Sequence, residues 1–434
     1  MSDVVHKHEK SPWVEAIGLV HRWLEKSERI DDLMENTQAD LSSIERARVQ
    51  HLVFGAVRHH LRLEKILERR LAHPPRHRVL AILFVAGFEL IEAFADTDPE
   101  GQTAKVVHHA VEQSKRLIAP AELKLVNAVL RRVSEEIGFD KVPGALAPAH
   151  VLAAYYSHPE WMVKRWFALF GAKATRQLLE WNLTPSPIYA RWRGPAAAEL
   201  PAFLKPTNWP GFFLIEAGHW REAAPLLAAG TLYVQDPSTR LAVDLLAPKR
   251  GETVIDLCAA PGGKSIACAD RMEGEGMIIA VDLPGLRQDR LEENLARITG
   301  VRTRRMGADI SSELTLALNS NGLPQQYSAI LLDVPCSNTG VMRHRIDVKE
   351  RLEEADLARH AVQQHRMLLT AARLLAPGGR LVYSTCSIEP DENINVVKRF
   401  IDASKGAFVL ETSVQATPWE HGHDGAGAFL IRRA

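Results

Sequence analysis

Cysteine is scarce in this chain: there are four in 434 residues, Cys258, Cys268, Cys336 and Cys386, and no two are closer than ten positions. With no CxxC pair, neither a zinc knuckle nor a disulfide framework is suggested, and free thiols in a reducing cytoplasm are expected. Long apolar runs are missing too. The longest, such as 79–88 and 277–281, fall well short of the ~20 residues a membrane span needs, and no secretory pattern precedes the first helical segment. The expectation is a soluble protein with no membrane partner and no metal, acting as a monomer. Net charge is also absent, with 53 Lys and Arg against 53 Asp and Glu. This argues against a polybasic nucleic-acid glue but leaves local patches open.

What is present is an ordinary globular composition, 46% hydrophobic and 24% charged, on a chain too long for one typical core. From about residue 10 to 140, segments such as "VEAIGLVHRWLEK", "HRVLAILFVAGFELIEAF" and "ELKLVNAVLRRVSEEI" place apolar residues three and four apart, the period of helices. One stretch, residues 46–78, carries nine Lys and Arg against two Glu. Within it Arg58, Arg62, Lys65 and Arg69 recur at helical spacing opposite Leu63, Ile66, Leu67 and Leu71, which predicts a helix with a basic, solvent-facing side for RNA phosphates. An ordinary solvated helix face is the plainer alternative.

The Pro- and Gly-containing "DKVPGALAPAH" reads as a linker, with a boundary near Pro143. The expected domains are therefore an all-helical region over 1–142, a small α+β linking module over 143–230 and a catalytic region over 231–434. The middle module holds six of the nine Trp and short strand-like runs, "PIYARW" and "GFFLIEA"; core packing is the expected work of most of these aromatics. From residue 231, strands of four to seven residues alternate with longer helices, a pattern of α/β class with a parallel, doubly wound sheet. Ligands of such sheets bind beyond the carboxyl ends of the strands.

"VIDLCAAPGGKS" is a strand, a glycine turn and a helix start. A Walker A loop would need Gly where Cys258 stands, and the NAD fingerprint GxGxxG is absent, so a pyrophosphate ligand is not favoured. Asp282 closes the next strand and suits a ribose diol; Asp309 closes the third and is placed to accept from an adenine amino group. Carboxylates at four strand ends, Asp256, Asp282, Asp309 and Asp333, suit a cationic adenosyl ligand such as S-adenosyl-L-methionine.

"DVPCSNTG" and "YSTCS" then end the fourth and fifth strands with Cys336 and Cys386, which should face one cleft. A lone strand-end cysteine is usually a small buried hydrophobe; two beside a methyl-donor pocket indicate chemistry. Carbon 5 of cytosine is too electron-poor to take a methyl group until a thiolate adds at carbon 6. Charge on the ring needs a donor, a role open to Asp333 if it is protonated, and a base or second thiol must assist release. Ser384, Thr385 and Ser387 are candidate donors to a thiolate, and 391–393 a helix cap. In DNA cytosine methyltransferases the attacking thiol follows a proline, as Cys336 does, so spacing leaves the two thiol roles open.

"DLCAAPGGK", "DVPCSNTG" and "YSTCSIEPDEN" together resemble the Nol/Nop/Sun (RsmB-like) family of RNA 5-methylcytosine methyltransferases, over residues 231 to about 405. "RARVQHLVFGAVRHHLRLEKIL" and "KLVNAVLRRV" are similar to the NusB-like RNA-binding domain of that branch. The resemblance implies a class I, Rossmann-like methyltransferase domain after a NusB-like helical domain. It implies S-adenosylmethionine held by Cys258, Ala259, Ala260, Pro261, Gly262, Gly263, Lys264, Asp282, Asp309 and Asp333, with Cys386 as nucleophile and Cys336 aiding release. It also implies ribosomal RNA of the small subunit as partner. The chain departs from the family at "HRIDVKE", where Glu350 replaces an aromatic, and at its C-terminal "HDGAGAFLIRRA". Transfer RNA as substrate, or a non-catalytic NusB-like assembly factor, are the alternatives; intact Asp282, Asp333, Cys336 and Cys386 argue against the latter.

Overall fold

The computed structural model describes residues 11–26, 28–36, 41–144, 146–195 and 199–434; the first ten residues of the expected 1–142 domain lie outside them. The chain divides into two compact units, one of residues up to Thr184 plus Met342–Arg351, the other of Pro185–Val341 plus Leu352–Ala434.

The first unit is helical. Ser42 and Glu45 form a reciprocal capping box at the start of helix Ser43–Arg58, and Asp98 with Pro99 opens helix Pro99–Ser114, so side chains occupy the backbone N–H groups that a helix start leaves unpaired. Helix His77–Ala93 is apolar nearly all round, and it is the central core element, burying Val79, Ile82, Phe84 and Leu90 among others. Its one buried carboxylate, Glu89, accepts from the Trp13 indole at 2.8 Å and is paired with Arg48. No helix of the described residues is long and apolar enough to cross a membrane.

The expected basic face is not formed. The helix stops at Arg58 and restarts at His60, with His59 outside helical geometry between them. Arg58 and Arg62 are buried, at 6 and 8% exposure. Arg62 pairs with Asp140 at 2.9 Å and stacks over the Tyr155 ring, while Arg58 donates to the Arg343 carbonyl. Lys65 and Arg69 stay exposed but are engaged by Glu68 and Glu136. Periodicity assigned a solvent side; partners 78 and 285 positions away took two of the four cations inside.

Two further differences concern boundaries. Helices Ala149–Tyr155 and Glu160–Leu183 belong to the helical unit rather than to a separate module beginning at 143, tied in by Ser157, whose hydroxyl accepts from the Arg62 N–H. The segment Met342–Arg351 also folds there: Ile346 joins the core, and buried Lys349 donates to the carbonyls of Arg58 and Ser157. Burial pushes Lys349 down to about 7, although Glu350 opposes the shift. Glu350, at the position where the family carries an aromatic, lies 3.3 Å from the His60 ring.

The second unit holds two sheets. Strands β1 (Tyr189–Trp192), β2 (Leu204–Pro206), β3 (Phe212–Ile215) and β4 (Leu232–Val234) form a small antiparallel sheet in the order β2-β3-β1-β4. The larger sheet comprises β5 (Thr253–Leu257), β6 (Met277–Asp282), β7 (Arg302–Gly307), β8 (Tyr327–Asp333), β9 (Leu375–Thr385), β10 (Phe408–Ala416) and β11 (Ala426–Arg433), ordered β10-β11-β9-β8-β5-β6-β7. Strands β5 to β9 pair in parallel, as their buried apolar runs require. The sheet is mixed rather than wholly parallel, because β11 inserts antiparallel between β9 and β10. Alternate side chains feed two cores, Ile255 and Leu257 on one face and Val254 on the other. The larger sheet is Rossmann-like, and the helical domain precedes it in the chain.

Packing of the helical unit gives opposite expectations for two glycines. A Cβ on Gly55 would lie 2.1 Å from the Phe88 ring, which is itself stacked on His59 and packed on His51. Gly55→Ala should therefore cost about 1–2 kcal/mol, overpacking outweighing the gain in helix propensity. Gly18, with nothing within 4 Å of its Cβ, should gain about 0.5–1 kcal/mol on the same change. Denaturant midpoints of the two variants check this; a shared sign would refute the packing account.

Candidate active site

The β8 and β9 ends run level, Asp333 opposite Ser384, with the Val334 N–H donating to the Ser384 carbonyl at 3.0 Å. The loops that follow bring Cys336 Sγ and Cys386 Sγ to 3.1 Å. Cys336 is buried and Cys386 is partly exposed. Asn338, at φ 61°, joins the loops: its Oδ1 accepts from the Cys386 thiol at 3.2 Å and its Nδ2 donates to the Cys336 carbonyl at 2.9 Å. Gly340 closes the turn by donating to the Cys386 carbonyl. A Cβ there would sit 2.4 Å from the Gly425 carbonyl oxygen, so only glycine fits.

Asp333 accepts from Lys264 Nζ and from Ser384 Oγ, both at 2.7 Å. Burial alone would lower the Lys264 ammonium, but Asp333 beside it, helped by Cys386 and Asp256, raises it instead, so the lysine keeps its charge. The Cys336 thiol is pushed well above its ordinary range by its hydrogen bond to Cys386 and then by burial.

At β5, Leu257 leads into Cys258 at φ 66° and then Gly262 at φ 106°, the left-handed N-cap of helix Gly263–Arg271. Asp282 at the end of β6 fixes this loop, accepting the Ala260 N–H at 2.9 Å and the Leu283 N–H at 2.8 Å. Asp309, after β7, accepts the Ser311 N–H and the Ser312 hydroxyl.

Residues 243–425 match the family model of the 16S rRNA methyltransferase RsmB/F, and residues 15–135 match that of the NusB family. Over 441 residues the chain is 30% identical to ribosomal RNA small subunit methyltransferase B of Salmonella paratyphi A, an alignment covering 96% of this chain and 97% of that one. This chain belongs to the RsmB/F methyltransferase family. It is an S-adenosylmethionine-dependent RNA methyltransferase with an N-terminal NusB domain. The same-named protein of Salmonella typhi is 29% identical, over 96% of each chain. Among solved structures, that of PH0851 superposes with a TM-score of 0.74 at 21% identity, covering 98% of this chain and 99% of the other. A methyltransferase homolog from Pyrococcus horikoshii gives 0.56 at 24% identity, over 67% of this chain and 100% of that one. These two share the fold.

The residues present fit S-adenosylmethionine. Asp282 and Asp309 offer acceptor oxygens with lone pairs to spare, and the left-handed Gly262 lets the loop turn with bare backbone. Asp256 is fully enclosed, its Oδ2 accepting from Ser265 and its Oδ1 without a hydrogen-bond partner among the described residues. Cys258 is pushed well up by burial, with Asp282 and Asp333 adding to the shift, and offers backbone rather than a thiolate.

Three expectations need correcting. Asp333 is not placed as a neutral donor, since both its oxygens accept hydrogen bonds. Ser384, Thr385 and Ser387 donate to Asp333, Asn393 and Glu392 respectively, and none of them to the Cys386 sulfur; carboxylate and amide oxygens are stronger acceptors. Asn393 precedes helix Ile394–Ala403 without a side-chain capping bond, its Nδ2 donating instead to the Ser387 carbonyl at 2.8 Å. Asn338 and Gln364 carry no periodic signal that would mark them in the sequence, and Glu392 falls within the expected cap at 391–393 with nothing to mark its bonds to the thiol loops.

Burial pushes the Asp256 carboxyl up to about 7, so the folded chain keeps a proton that the unfolded chain releases near pH 4. The stability this proton contributes is full below about pH 4 and lost as pH rises through about 7. Asp256→Asn should flatten that decline in a pH series of thermal midpoints. Parallel curves for the two proteins would assign the decline elsewhere.

Proposed function

We propose that the enzyme methylates carbon 5 of a cytosine in 16S ribosomal RNA through a covalent bond between Cys386 Sγ and ring carbon 6. The observation that carries this reading is the pair of sulfurs 3.1 Å apart at adjacent strand ends, one partly exposed and the other a buried thiol. The names of the full-length relatives supply the choice of RNA.

Cys386 gives its thiol proton to water and adds as the thiolate to carbon 6 of a base turned out of its stack, and the electron pair of the 5,6 double bond becomes available at carbon 5. The Lys264 ammonium, fixed by Asp333, stands beside the thiols as the charge that answers the electron density building on the ring. S-adenosylmethionine supplies the methyl group when bound. The proton on carbon 5 then passes to water, its electron pair restores the double bond, and the carbon–sulfur bond breaks. Cys336, held as a thiol, hydrogen-bonds the departing sulfur. For RNA contact Lys65 and Arg69 remain candidates, at 52 and 58% exposure, while the interior Arg58 and Arg62 are withdrawn.

Cys386→Ala should abolish methylation and any RNA adduct. Cys336→Ala should trap RNA covalently, seen as a slow band on a denaturing gel; the reverse pattern would exchange the two roles. Bisulfite sequencing of RNA from cells with and without the enzyme tests the substrate. Loss of a protected cytosine from transfer RNA alone would sink the ribosomal assignment.

A further inference from the structure

Behind the two thiols lies a carboxylate that the reaction does not touch. Glu392 is fully buried, and its partners are neutral donors from three parts of the chain. Its Oε1 accepts the Ser337 N–H at 2.8 Å and Gln364 Nε2 at 3.0 Å; its Oε2 accepts the hydroxyls of Ser337 and Ser387. Ser337 follows Cys336 and Ser387 follows Cys386, so one side chain binds the neighbour of each thiol. Gln364 extends the bond to the thiol loop by donating also to the Pro335 carbonyl at 2.9 Å. Four donors fill the accepting directions of a carboxylate, which is what makes its burial tolerable.

We infer that Glu392 is a positioning residue that sets Cys336 against Cys386, an inference that rests on the thiol roles proposed above. The two loops depend on it unequally. Asn338 ties the loops to each other, its Oδ1 accepting from the Cys386 thiol and its Nδ2 donating to the Cys336 carbonyl. The Cys386 loop takes one direct bond from Glu392, through Ser387, and has Asn393 besides, which holds the Ser387 carbonyl and the Thr385 hydroxyl. The Cys336 loop takes two direct bonds from Glu392 through Ser337 and a third through Gln364. Without the carboxylate, Cys336 loses its place first, and the step that suffers is release rather than attack.

The test measures turnover, KM for RNA, thermal midpoint and adduct on a denaturing gel for Glu392→Gln, Glu392→Ala and Ser337→Ala, each alone and with Cys336→Ala. The amide of Glu392→Gln brings donors where donors already point; Ser337→Ala removes one donor and keeps the carboxylate. Turnover should fall about 10- to 100-fold, the scale of a catalytic group displaced by about 1 Å, with no rise in KM for RNA and with adduct accumulating. On the Cys336→Ala background the same changes should add nothing to the adduct level. If Glu392→Ala does not fold, the other two variants carry the test. Native turnover in both, or a loss of turnover with less adduct, would overturn the inference while leaving the thiol roles standing. A Cys386→Ala enzyme that still methylates would overturn both.

Discussion

Everything at the reactive end of this enzyme hangs on the pairing of β8 with β9. The two strands run in parallel with Asp333 level with Ser384, so the loops leaving them start from the same height on the sheet. Cys336 lies three residues past Asp333 and Cys386 two past Ser384, and the sulfurs meet. A slip of one residue would turn the side chains of one strand to the opposite face. The polar bonds across this junction hold it: Ser384 to Asp333, Asp333 to Lys264, and both thiol-flanking serines to Glu392. Buried polar networks of this kind specify one arrangement because each member would be left unpaired by any other.

Between the first thiol loop and the helix Glu354–Arg373, the chain gives residues Met342–Arg351 to the helical unit. Asp347 there accepts the Ile30 N–H and the Arg351 guanidinium, and Arg345 pairs with Asp31. With Ile346 in the core and Lys349 binding two carbonyls, the segment is an integral part of that unit. The two regions are therefore interleaved along the chain, and neither is a contiguous stretch of sequence.

Much of the architecture was legible because it rests on local periodicity. Helical spacing over 10–140, alternation of strands and helices after 231, and glycine turns at strand ends are properties of neighbouring residues. The antiparallel β10 and β11 escaped this reading. β10 is an edge strand, largely exposed, with only weak alternation, and which strand β11 would join is a matter of topology. The basic face failed for a related reason: helical spacing predicts which residues share a side, but Asp140 and Tyr155, which claim Arg62, are remote in sequence.

The sequence by itself determined the class of chemistry, since a glycine loop without a phosphate cradle, acidic strand ends and two strand-end cysteines are residue types at fixed positions on a sheet. Family resemblance, carried by the same motifs, is what implies the thiol roles that spacing left open. Tertiary structure alone decided which polar groups meet: that Asp333 fixes Lys264, that the hydroxyls around Cys386 turn to carboxylate and amide oxygens, and that Glu392 joins both thiol loops. Hydrogen bonds and ion pairs act over about 3 Å in space, whereas the partners here lie 5 to 69 positions apart in the chain.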